Sequence, residues 1–131
     1  RYQYPGTPPR FEYDICRRSV ELLRRREYAL MCYSHYGWTE EPAGDLDRLP
    51  DQMEQWKTIA AEESRAASSC GMKDRDVVER IALRLREEDP LIAAVSLFEA
   101  GNRVKEEFFP RNSILGFLGY VRSTGESRGG R

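Results

Sequence analysis

With 131 residues, 40% of them apolar and 33% charged, the chain has the length of one domain and enough apolar material to fold without metal or disulfide support. Its formal net charge of -1 excludes a global field that would draw it onto nucleic acid or an anionic membrane. No apolar run approaches the ~20 residues of a transmembrane segment.

Residues 1–10, RYQYPGTPPR, carry three prolines and a glycine. They are incompatible with a helix and read as an extended arm. Tyr2 and Tyr4 in that arm are expected to dock on a partner, since aromatic side chains are costly to leave in water. The first residue is Arg, which fits removal of an organellar transit peptide and suggests the mitochondrial matrix.

From Phe11 to Tyr36 no helix breaker occurs, and Gly37 supplies a stop. The spacing predicts one long helix with Phe11, Ile15, Leu22, Ala29, Tyr33 and Tyr36 on its inward stripe. Val20, Tyr28 and Met31 then fall roughly opposite and are expected to meet a partner protein. Five arginines, Arg17, Arg18, Arg24, Arg25 and Arg26, crowd the same segment. Such a row grips phosphates or carboxylates, or pairs with Glu12, Glu21 and Glu27 nearby. Trp38 follows as a further partner-binding candidate.

Residues 38–49 hold Pro42, Gly44 and several acids and read as a loop. Pro50 is expected to open a helix to about Ser69, burying Met53, Trp56, Ala60 and Ala67. Gly71 ends it, and Asp74 or Asp76 caps a third helix through Glu88 with Val78, Ile81, Ala82 and Leu85 inward. Asp89-Pro90 is a cap-and-first-turn pair opening a fourth helix, which Pro110 closes. Asn112 or Ser113 caps a short fifth helix through Val121. The final ten residues, RSTGESRGGR, contain nothing apolar to bury. The expected fold is therefore all-α, an irregular bundle of four main helices plus a short C-terminal one and no sheet. Its organisation is an arm (1–10), a helical domain (11–121) and a Gly/Arg-rich tail (122–131).

No chemistry of catalysis stands out. His35 is the only histidine, and a Cys32–His35 contact on one helix would lack a third orienting group. One histidine and three dispersed cysteines, Cys16, Cys32 and Cys70, give no zinc spacing, and no glycine-rich loop cradles phosphate. The odd cysteine count lacks the pattern of a secreted disulfide scaffold, which favours an intracellular reducing compartment. The segment REYALMCYSHYGW has an aromatic, an alanine and a tyrosine at tetratricopeptide-like spacing, but no second copy follows and no repeat array is implied.

No enzyme activity, cofactor or metal is expected. The pattern favours a structural subunit of a multiprotein assembly that binds other proteins through its arms and first helix. The alternative is an RNA-binding helical protein using the arginine-rich segment, with the RGG ending in support.

Overall fold

The computed structural model describes residues 10–33, 37–93 and 100–125, and for 100–110 the backbone alone. The order of elements is α1 (Tyr13–Arg24), β1 (Met31–Tyr33), β2 (Gly37–Thr39), α2 (Pro42–Cys70), α3 (Asp74–Glu88), α4 (Pro90–Ala93) and α5 (Ala100–Thr124). The fold is mostly helical, as the periodicity implied. α2 lies at its centre, packed against α1, α3 and α5, while α3 also meets α4 and α5.

The core forms where the apolar stripes of these helices converge. Met53, Trp56, Ile59 and Ala60 of α2 face Val77, Ile81 and Leu85 of α3 and Ile114, Phe117, Leu118 and Val121 of α5. Removing the apolar surface of a side chain of this size from water stabilises the fold by about 1.5–3 kcal/mol each. An aromatic group seals the α1 end. Phe11 packs on Phe117 with ring centroids 4.8 Å apart, and Tyr13 lies against Tyr120 at 5.4 Å. Trp56 meets Phe117 at 5.7 Å.

Polar groups inside the core are individually satisfied. Asp89 is 2% exposed and accepts hydrogen bonds from Trp56 Nε1 and Gln52 Nε2, both at 2.8 Å, and from the Leu91 amide at 2.9 Å. The last bond is the expected cap on the Asp89-Pro90 turn. Glu63, also buried, pairs with Arg80 and Arg84 of α3, and Arg84 reaches Glu62 and Glu88 as well.

Five features depart from the periodicity reading. The 11–36 segment is not one helix: α1 ends at Arg24, and an antiparallel hairpin follows in the register Met31↔Thr39, Cys32↔Trp38 and Tyr33↔Gly37. Aromatic and β-branched residues suit a pleated strand, and Gly37 takes the positive φ of 79° that a side chain would resist. The fold therefore contains a small sheet where none was expected.

The supposed loop over 38–49 is largely the first two turns of α2. Pro42 sits in its first turn, where no amide hydrogen is needed, and the Thr39 hydroxyl accepts the Glu41 amide at 3.1 Å. Pro50 stands inside the helix rather than opening it. Lys73, not Asp74 or Asp76, occupies the cap of α3. Instead the Asp74 carboxylate accepts Arg122 Nη2 at 2.9 Å, which places Arg122 in α5 rather than in a tail. Finally, α5 runs through Pro110 without a break at Asn112, because Ile114, Phe117, Leu118 and Val121 anchor its second half in the core.

Candidate interaction surface

The faces of α1 are the reverse of those expected. At 100° per residue Tyr13, Cys16 and Val20 share one side, and it is this side that faces α2. Tyr13 and Val20 are buried, and Cys16 packs partly against the core. Ile15 and Leu22 of the expected inward stripe are 56% and 62% exposed. A helix ending at Arg24 forfeits the later members of that stripe. Two rings then decide the orientation, since Tyr13 and the adjoining Phe11 outweigh one isoleucine and one leucine in buried area.

Tyr13 also brings a polar handle. Its hydroxyl donates to Glu54 Oε2 at 2.5 Å, and Lys57 Nζ stands 4.7 Å above its ring. Burial pushes the Tyr13 phenol well above its ordinary pKa, and the Glu54 carboxylate pushes the same way. For Glu54, burial acts upward, but hydrogen bonds from Tyr13 and Lys57 outweigh it and hold the carboxyl below its usual range. This seam orients α1 on α2 and turns Ile15 and Leu22 outward.

The hairpin adds a second outward patch. Met31 and Tyr33 point toward the body of the protein, and the Tyr33 hydroxyl donates to the buried Asp45 at 3.2 Å. Strand alternation then turns the cross-strand pair Cys32 and Trp38 to the other side. Both are exposed, Trp38 by 56%, and Leu30 just ahead of β1 by 50%.

The residues singled out from the sequence distribute unevenly over this geometry. Val20 is 5% exposed and belongs to the core. Tyr28 and Met31 are half-buried against it, and Trp38 faces solvent. Tyr2, Tyr4, Tyr36, His35 and the RGG ending lie outside the described residues. Cys32 sits on a strand, so the helical spacing that related it to His35 does not apply.

Among the arginines, Arg24 bridges Glu21 and Asp47, and Arg25 lies 3.8 Å from Glu21. Arg18 donates to the Asp14 carbonyl of its own helix. Arg17 and Arg26 are exposed and make no ion pair among the described residues. Two of the five arginines are thus engaged by neighbouring carboxylates. Sequence periodicity missed Ile15, Leu22 and Leu30 as surface residues. The signal available was the competing Tyr13–Cys16–Val20 stripe, which wins as soon as the helix is allowed to end early.

Among the described residues no three His, Cys, Asp or Glu side chains are placed to hold a metal ion, and no helix is long and apolar enough to cross a membrane. No family model, no curated protein and no solved structure matches the chain.

Proposed function

We propose that this chain is a non-catalytic, protein-binding subunit of a larger assembly, docking through the outward faces of α1 and the hairpin. One observation carries the reading. Of the seven large apolar side chains that stand exposed among the described residues, five (Ile15, Leu22, Leu23, Leu30 and Trp38) fall within the segment from α1 to β2. Scattered apolar exposure is ordinary, whereas its concentration on one stretch marks a contact surface.

Tryptophan is among the residues enriched in binding hot spots, where truncation costs about 2 kcal/mol or more, and Trp38 is exposed. Three unpaired thiols, two of them exposed, favour a reducing compartment, for which the mitochondrial matrix is one candidate. The RNA-binding alternative has less support, because Arg24 already bridges Glu21 and Asp47.

Fractionation of native extracts tests the proposal. The wild-type chain is expected to elute with other polypeptides, in a complex several times its own 15.2 kDa, that resists moderate salt and is lost in Trp38→Ala and Leu22→Glu variants. Retention of the complex by both variants would overturn the docking surface. A complex that dissolves steeply with salt and with ribonuclease would put RNA in the partner's place.

A further inference from the structure

The outward face of α1 carries a second pattern, visible only once its orientation is fixed. Ile15 and Leu22 lie two turns apart, about 10.5 Å along the axis, with Ser19 between them. Ser19 is small and its hydroxyl is turned back onto the Ile15 carbonyl at 2.9 Å, so the middle of the face is shallow and leaves no hydroxyl hydrogen pointing outward. Along one flank of this apolar line run Asp14, Arg18, Glu21 and Arg25, all exposed. Glu12, just before α1, and Arg26, just beyond its cap, are exposed as well.

This arrangement is complementary to itself when reversed. Laid antiparallel on a second α1, the flank Asp14–Arg18–Glu21–Arg25 meets Arg25–Glu21–Arg18–Asp14. Each acid then faces a base: Asp14 with Arg25, Arg18 with Glu21, and the same pairs repeated beyond the axis. In the middle Ile15 meets Leu22, and Ser19 meets Ser19. Every one of these pairings is centred within a residue of Ser19, so a single two-fold axis satisfies them all. A closed two-fold interface requires this kind of self-complementarity, and like charges would otherwise oppose each other across it. The helix dipoles also oppose favourably in that orientation. Within the chain Asp14 Oδ2 accepts the Tyr120 hydroxyl at 2.9 Å and Glu21 Oε2 accepts Arg24 Nη1 at 3.2 Å, and the contact free to be exchanged is that of Arg25. Arg25 is 3.8 Å from Glu21 and its side chain is 69% exposed.

We propose that a second copy of this chain covers the outward face of α1, its own α1 lying antiparallel across it about a two-fold axis beside Ser19. The inference rests on the reading of this face as a protein-docking surface and names its occupant. One pair of 12-residue helices covers less than the ~800 Å² per partner of a standard stable interface. The dimer is accordingly a weak one, with a dissociation constant of about 10 μM to 1 mM.

Sedimentation equilibrium of the purified full chain up to ~1 mM tests it. A monomer–dimer equilibrium is expected, weakened at least ~100-fold by Leu22→Glu, because both copies of Leu22 lose their burial. Arg18→Glu alone and Glu21→Arg alone are each expected to weaken it about 10-fold, and the double exchange to recover to within about 3-fold of wild type. In a Cys32→Ser, Cys70→Ser background, Ser19→Cys is expected to oxidise to a cross-linked dimer, whereas Arg17→Cys is not. A chain that stays monomeric to ~1 mM overturns the proposal, as does a dimer indifferent to Leu22→Glu or a double exchange no better than its single changes. If the purified chain is monomeric while Leu22→Glu still removes it from its complex in extracts, only the identity of the occupant fails and the docking surface stands.

Discussion

In α2, α3 and the second half of α5, apolar side chains turn inward, and buried polar groups are matched one by one. Asp89 accepts from Trp56, Gln52 and Leu91, and Glu63 is held by Arg80 and Arg84. Among the described residues no buried side-chain nitrogen or oxygen lacks a partner. In α1 and the hairpin the economy is different. Tyr13 and Val20 anchor the segment, while Ile15, Leu22, Leu30 and Trp38 stand in solvent. A helix needs only one apolar stripe to be held on a core. The exposed Ile15 and Leu22 of α1 are not needed for that attachment.

The contrast can be broken most directly at Trp56. Trp56→Ala is expected to cost about 3–5 kcal/mol by chemical denaturation, through the cavity it leaves among Met53, Phe117 and Ile81 and the donor it removes from Asp89. A loss under ~1 kcal/mol would show that the packing does not centre on α2. Asp89→Ala comes next, at about 2–3 kcal/mol, because it removes the buried acceptor to which the indole and the Gln52 amide both donate.

Acid sharpens the comparison at the seam between the regions. Glu54 and Asp74 both have depressed carboxyl pKa values, Glu54 against the opposing effect of burial and Asp74 through its bond to Arg122. A group whose pKa is lowered by folding contributes stability that is present above its unfolded value and lost as pH falls through the folded one. Melting temperature should therefore decline below the usual carboxylate range, and Glu54→Gln should flatten that decline by about 1 kcal/mol or less, since both groups are substantially solvated. Smallest of all, Ile15→Ala and Leu22→Ala in dilute solution should shift stability by only about 0.5 kcal/mol. A loss as large as that at Trp56 would make α1's outward face part of the core and erase the difference between the regions.

Legibility from the sequence followed the same division. The end of α3 at Glu88 and the inward residues Met53, Trp56, Ala60, Ala67, Val78, Ile81 and Leu85 follow from periodicity and from Gly71 and Asp89 as punctuation. There local signals and packing agree. They conflict at Gly44, Pro50 and Pro110, residues that disfavour a helix interior but are carried inside α2 and α5 by the burial of Leu46, Ile114 and their neighbours. Helix propensity is a weak prior against such burial. The hairpin was hidden for the opposite reason: no breaker stands between Arg24 and Tyr36, so nothing local announces the change of period. The interaction surface depended on knowing where α1 ends, and its orientation was legible only after that.

Pro50 has a further effect on how the molecule carries load. It brings no amide hydrogen to the ladder of α2, so the Leu46 carbonyl is without its helical donor and one rung is missing between the second and third turns. Ahead of that rung, Asp45 is tied to Tyr33 of the hairpin and Asp47 to Arg24 at the end of α1. Behind it, α2 is bound into α3 and α5. Side chains span the missing rung instead: Leu46 ahead of it is buried in the core and Glu54 behind it holds Tyr13 of α1, so α2 runs on as one element across position 50.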